Sequence, residues 1–223
     1  LDNGLNYWDT AHSYQNKDLG VVSEERLGKV LKSRRNEVII STKVQSRDPE
    51  EAKARIEKSL ERFQIDQLDI LKIHNVQSLE DVDKICEKGG VGELVMRMKE
   101  EGITRFVGFS GHSNAAALRA MVDRFDFDTI LMALNHYGNN EQDREYDVAP
   151  YARKKGMGVM VMKAVRPKES ISGLDPSKLI RYALTLEPVD GVVLGMDSLD
   201  VLKKNIALLH NYKPLEEAEM RDI

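Results

Sequence analysis

The rhythm of apolar runs constrains this chain most. Short β-type runs alternate with helical patterns from one end to the other, and the runs are continuously apolar. Such strands need both faces covered, so the pattern selects a parallel sheet flanked by helices over a hairpin meander. The strands expected are the run ending at Asp9, Val38–Thr42, Leu68–Ile73, Phe106–Ser110, Thr129–Leu134, Gly158–Met162 and Gly191–Leu194. Helices are expected between them, beginning at Ser23-Glu24-Glu25, at Asp48-Pro49, near Gly92, at Asn114, near Val148, at Ser177 and at Ser198. The stretches 15–22, 75–90, 137–146 and 166–173 read as loops.

That makes seven strand-then-helix units. Seven is awkward for a closed ring and eight is natural, so the pattern predicts an α/β (β/α)8 barrel whose first strand and helix precede Leu1. The 223 residues then form one domain, 1–223. The competing arrangement is an open doubly wound sheet. No Gly-x-Gly-x-x-Gly follows any strand, which argues against the dinucleotide-binding form of that fold.

Composition excludes several functions. The charge of −4 has no basic excess or polybasic run, which speaks against nucleic acid as a partner. No apolar run approaches the roughly 18–20 residues that span a bilayer. The single cysteine, Cys86, excludes an internal disulfide and a cysteine-only metal cluster. His12, His136 and His210 have no ligand spacing and read as surface or loop residues, so no metal is expected. A cytoplasmic location is the expectation.

Chemistry concentrates where strands end. The first run closes on Asp9, with Tyr14 five residues on. The next strand reaches Lys43 and the third reaches His74. Barrels of this kind place their active sites at the C-terminal ends of the strands. Singly, each residue has an ordinary role: Asp9 a turn cap, Tyr14 a wet loop phenol, Lys43 a solvated strand end, His74 a structural histidine. Together they form a proton-transfer set. A lysine ammonium within about 4–6 Å lowers the pKa of a phenol, which is near 10 when unperturbed. A carboxylate orients that lysine, and a histidine can hydrogen-bond an oxygen that gains negative charge. Such a set suits reduction of a carbonyl by hydride, or oxidation of an alcohol.

The residues also carry a family resemblance. The run Gly4-Leu5-Asn6-Tyr7-Trp8-Asp9-Thr10-Ala11-His12-Ser13-Tyr14 resembles the second-strand signature of the aldo-keto reductases, and Thr42-Lys43 and Leu71-Lys72-Ile73-His74-Asn75 resemble their third and fourth strand ends. Ser23–Gly28, Lys99–Gly108 and Val193–Ser198 with Asn205 read the same way. The resemblance implies a catalytic tetrad of Asp9, Tyr14, Lys43 and His74. It also implies NADP or NAD as cofactor, bound without a Rossmann domain, and a small carbonyl or alcohol substrate.

By the same resemblance the cofactor would meet Ser110, His112, Asn135, Met162, Lys163, Gly195, Asp197 and Asn205. Several depart from the family pattern. Ser110 is followed by Gly111 and His112 where Ser-Asn is common, and Met162 stands where a stacking tyrosine is usual. Asp197 falls where many relatives place a cation for the 2′-phosphate. These variants resemble a branch with Gly-His-Ser after the fifth strand and Met-Lys on the seventh. Two alternatives stay open beside the reductase: a cofactor-binding regulatory or sensing barrel with little turnover, and a barrel enzyme for phosphorylated substrates, although no glycine-rich phosphate loop is visible.

Overall fold

The computed structural model describes residues 1–136, 143–165 and 173–223. They form two compact units, residues 1–111 with 116–129, and residues 112–115 with 130–223.

The first unit is built on four parallel strands, β1 (Tyr7–Asp9), β4 (Ile39–Val44), β5 (Leu68–Ile73) and β6 (Thr104–Gly111), which pair in that order. The register sets Asp9 opposite Ser41, Lys43 opposite Lys72, and Lys72 opposite Gly108. All six residues of β5 are buried, as the unbroken apolar run predicts. A two-residue hairpin, β2 (Gln15–Asn16) with β3 (Val21–Val22), stands where a plain loop was expected.

Helix α1 (Ser23–Arg34) begins where predicted, but its N-cap is Val22 and no side chain caps it. Ser23 instead receives the hydroxyl of Thr10 at 2.8 Å. Helix α2 (Pro49–Phe63) follows the rules closely. Asp48 accepts from the Glu51 amide at 2.8 Å, Pro49 occupies the first turn, and Gln64 ends the helix in the left-handed conformation. Its buried stripe, Ala52, Ile56, Ser59 and Phe63, repeats every three or four residues. The expected loop at 75–90 contains a short helix, α3 (Leu79–Ile85), capped by Ser78. Then come α4 (Val91–Glu100), stopped at Gly102 with φ +75°, and α5 (Ala115–Val122).

Alternation along the strands gives the unit two unlike faces. One carries Ile40, Leu71, Ile73, Val107 and Phe109, all buried. The other carries Tyr7, Asp9, Ser41, Lys43, Lys72 and Ser110, an unusually polar lining for buried strands. Gly108 allows a close approach there, because a Cβ would stand 2.2 Å from the Thr129 carbonyl oxygen.

The second unit holds most of β7 (Thr129–Ala133), then β8 (Gly158–Met162) and β9 (Gly191–Val193), with β8 and β9 parallel. Leu131, Ala133 and Met162 form a buried cluster joined by Met160 and Val193. A π-helical turn, Arg144–Val148, leads into α6 (Ala149–Lys154). The sequence suggested a polar loop over 137–146, yet Arg144 is 2% exposed; residues 137–142 and 166–172 lie outside the described residues. Helices α7 (Pro176–Thr185), α8 (Leu199–His210) and α9 (Glu217–Arg221) complete the unit. The last of these lies beyond the final helix that the sequence pattern predicts. Among the described residues no helix is long and apolar enough to cross a membrane.

Candidate active site

Asp9, Tyr14, Lys43 and His74 all lie in the first unit, at the C-terminal ends of β1, β4 and β5 or just beyond. Asp9 Oδ2 pairs with the Lys43 ammonium, and Lys43 also donates to the Thr10 carbonyl at 2.6 Å. The pair is buried, with the side chains 5% and 1% exposed. Lys43 Nζ stands 5.3 Å from the centre of the Tyr14 ring, and the His74 ring meets Tyr14 edge to face at 5.8 Å. Tyr14 itself is 43% exposed, beside a dry pair.

A second buried ammonium joins the site. Lys72 Nζ donates to Asp9 Oδ1 at 3.1 Å, to the Tyr7 hydroxyl at 2.9 Å and to Ser41 Oγ at 2.5 Å. Ser41 in turn donates to Asp9 Oδ1 at 3.0 Å. Sequence reasoning gave Lys72, Tyr7 and Ser41 no role. The signal was present, since each lies two residues before a tetrad member on its own strand and so shares its face.

The electrostatics follow from burial and these contacts. Burial alone would raise the Asp9 carboxyl, but Lys72 and Lys43 outweigh it and hold Asp9 below its ordinary value. Burial lowers Lys43 and the Lys72 charge adds to this, against the pull of Asp9, leaving Lys43 at about 8. Lys72 is also desolvated, yet Asp9 and Tyr7 keep it above its ordinary value. Tyr14 is pushed up, first by burial and then by the Asp9 charge. This differs from the sequence expectation of a phenol lowered by Lys43. The ammonium lies over the ring, and the phenol keeps its proton.

The turn after His74 is tied down. Asn75 has φ +58°, its amide donates to Ser110 Oγ at 3.0 Å, and the Val76 amide donates to the Ser110 carbonyl at 2.7 Å. Arg47 Nη2 donates to the carbonyls of His74 and Asn75 at 3.1 and 3.2 Å. Ser110, a suggested cofactor contact, is fully buried in this arrangement. His12, read as a surface or loop residue, contacts Ser59 Oγ at 3.2 Å and lies 3.8 Å from buried Glu24. Among the described residues no group of three or more His, Cys, Asp or Glu is arranged to hold a metal ion. A cleft of about 860 Å³ opens at the other ends of the strands, lined by Asn6, Arg35, Val38, Asp69 and Arg105 among others. It has none of the lysines and tyrosines that cluster around Asp9.

In the second unit, Asn135 is buried at the end of β7 and its side-chain amide donates to the Lys163 carbonyl at 3.2 Å. Lys163 follows β8, exposed, with φ +62°. Met162 packs into the cluster with Leu131 and Ala133. His112 is half-buried after β6. Gly195 and Asp197 are exposed between β9 and α8, and Asn205 is buried on α8, whose N-cap Ser198 accepts from the Val201 amide at 3.3 Å.

The model of the aldo/keto reductase family matches residues 1–167. L-galactose dehydrogenase of Arabidopsis thaliana is 27% identical over 251 residues, covering 95% of this chain and 76% of the relative. An aldo-keto reductase from Bacillus halodurans in its holo form superposes with a TM-score of 0.77 at 24% identity, covering 99% of this chain and 82% of that one. A Klebsiella pneumoniae aldo-keto reductase in complex with NADPH gives 0.74 at 23% identity, with 99% and 79% covered. The chain belongs to the aldo/keto reductase family. Its fold is the α/β barrel of those structures, and the family is one of oxidoreductases that use NADP(H).

Proposed function

We propose that this protein reduces a small carbonyl compound, or oxidises the matching alcohol, with Tyr14 as general acid and base. The observation that carries the reading is the stacking of three groups: a buried Asp9–Lys43 pair, Tyr14 with its ring 5.3 Å from the Lys43 ammonium, and the His74 ring 5.8 Å from Tyr14. In the reductive direction Tyr14 passes its hydroxyl proton to the carbonyl oxygen as the carbon gains hydride. A phenol held above its usual pKa is protonated at neutral pH, which suits the acid role. The phenolate left behind is stabilised by the Lys43 charge. Asp9 fixes where that charge sits, and His74 offers a hydrogen bond to the same oxygen.

The residues present fit a nicotinamide dinucleotide, which when bound supplies or accepts the hydride. Asn135 and Lys163 offer an amide and an ammonium at adjacent strand ends, and the first turn of α8 has the positive end of a helix, which suits an anion. Among the described residues a Cβ at Gly195 would meet no atom within 4 Å, which leaves room beside that helix start. Asp197 on the same stretch suits ribose hydroxyls better than a phosphate.

The test is turnover by the purified protein with NADPH or NADH and a panel of aldehydes, ketones, aldoses and sugar lactols. Sugars enter the panel because of the likeness to L-galactose dehydrogenase. Substrate-dependent consumption or formation of reduced nicotinamide that Tyr14→Phe abolishes supports the reading. Tight cofactor binding without turnover on any member favours the sensing barrel and overturns it.

A further inference from the structure

The site carries one carboxylate and two buried ammonium groups. The register places Lys43 directly opposite Lys72, and both side chains are at most 1% exposed. Two like charges on neighbouring buried strands each need an anion, and Asp9 serves both, Oδ2 to Lys43 and Oδ1 to Lys72. The sharing is unequal. An ammonium has three N–H donors, and Lys72 places all three on oxygens, those of Asp9, Tyr7 and Ser41. Lys43 has the other Asp9 oxygen and the Thr10 carbonyl.

We propose that Lys72 is a positioning residue of this site: by holding one oxygen of Asp9 it splits that carboxylate between two ammoniums and leaves Lys43 the less firmly held of the two. The proposal rests on the reductase reading in one respect, that the Lys43 charge serves Tyr14. The titratable groups facing the pair within the first unit are Asp9 and Tyr7 from β1, Tyr14 from the turn after it, and Lys72 and His74 from β5 and its end. On the opposite face of β4, Glu24 of α1 is bound to the Thr42 hydroxyl at 2.7 Å and to Arg62. The lowering of Lys43 to about 8, with Lys72 held up, agrees with this order.

The consequence is a built-in alkaline limit. Below about pH 8 the charged Lys43 supports a Tyr14 phenolate, and above it that support is withdrawn while Lys72 stays charged. Carbonyl reduction should therefore decline along a limb set by Lys43. Removing the Lys72 charge returns the whole of Asp9 to Lys43 and moves the limb to higher pH.

The experiment is NMR titration of lysine Nζ in 15N-lysine-labelled full-length protein, with kcat/KM profiles against pH for wild type and Lys72→Met. In the wild type, Lys43 is expected to lose its proton near pH 8 while Lys72 stays charged beyond that point. In Lys72→Met, the Lys43 midpoint and the alkaline limb should both rise by about one unit or more, the size of a neighbouring charge. Wild-type protein in which both lysines stay charged to about pH 10, or Lys72 yields first, overturns the proposal. So does a Lys72→Met enzyme that is slower at every pH with its limb unmoved, which is a merely structural effect. Should Lys72→Met fail to fold, the wild-type titration decides. The expected titration order in a protein without turnover defeats the reductase reading alone. A Tyr14-dependent reductase with the wrong order defeats this inference alone.

Discussion

Arg47 and Asp81 meet through two bonds of 2.7 Å, and the same guanidinium holds the backbone carbonyls of His74 and Asn75. Asp81 is itself fixed, accepting from the Gln77 amide at 3.1 Å while its own amide is capped by Ser78. A helix start is thus wired to the turn that carries His74. Arg47→Met should free that turn without touching the Asp9–Lys43 pair. Misplacement of a reacting group by about 1 Å can cost on the order of 100-fold, so a fall of about 10- to 100-fold in kcat/KM is expected. Cofactor affinity should change little. Steady-state kinetics beside a fluorescence titration of cofactor binding check this, and unchanged kcat/KM would show that His74 needs no such brace.

Asp69 organises the other end of the same strands. It accepts from the Ile40 amide at 2.8 Å and pairs with Arg35 and Arg105 at 2.8 and 2.9 Å. Burial opposes its charge, but the amide and the two guanidiniums prevail and hold the carboxyl below its ordinary value. A depressed folded pKa stabilises the protein above the unfolded value, roughly 3.9, and that contribution disappears as pH falls through the folded one. Asp69→Ala should therefore cost stability at neutral pH, and the gap from wild type should narrow below about pH 4. Both arginines can turn to water, so the cost is mainly one orphaned amide, about 1–3 kcal/mol. Urea unfolding at the two pH values measures it, and a gap that persists in acid would assign the loss to packing.

How much of this was legible varied with the kind of signal. Strands β4 to β9 and helix α2 were readable because apolar runs, Asp48-Pro49 and a helical stripe all point the same way. Helix α3 was hidden in a polar stretch whose only mark is Ser78 three residues before Asp81. The π turn was hidden because Arg144 is buried through tertiary contacts, among them a bond to the Ser113 carbonyl at 3.0 Å, which no local pattern reports. The positions of Asp9, Tyr14, Lys43 and His74 at strand ends could be read from spacing. The partition of Asp9 between Lys43 and Lys72 could not, because it depends on the register of β4 against β5. The direction of the Tyr14 shift differs from the expectation for another reason. A lysine nearby lowers a phenol only if its charge outweighs burial and the neighbouring carboxylate, and here it does not.

Cofactor choice should reflect Asp197. It is exposed between β9 and α8, on the stretch where the family resemblance puts the 2′-phosphate partner. A carboxylate there repels a phosphate and can accept from ribose hydroxyls. The wild-type protein should show no strong preference for NADPH, and Asp197→Ser should shift the ratio of dissociation constants toward NADPH by roughly 3- to 10-fold, a modest factor because the site is wet. Calorimetric titration with both cofactors gives the ratio. Wild-type binding of NADPH about 100-fold tighter than NADH, near 2.7 kcal/mol, would mean that Asp197 does not face that end of the cofactor.

The sharpest prediction concerns Tyr14 and Lys43 together. Tyr14→Phe removes one hydroxyl from a half-exposed ring and leaves Asp9, Lys43 and Lys72 bonded as before, so folding and cofactor binding should be nearly unchanged. Turnover should fall by roughly 10²–10⁴-fold, the usual contribution of a positioned general acid. Lys43→Met should also slow turnover, and it leaves Asp9 with Lys72 and Ser41 as partners, so the carboxylate is not orphaned. If the Lys43 charge matters only through the Tyr14 phenolate, its loss cannot be felt once the phenol is gone. The double variant should then be no more than a few-fold slower than Tyr14→Phe alone. Single-turnover rates of the four proteins complete the cycle. Losses that multiply would give Lys43 a separate part in the chemistry, and a Tyr14→Phe protein at the wild-type rate would move the proton transfer to another residue.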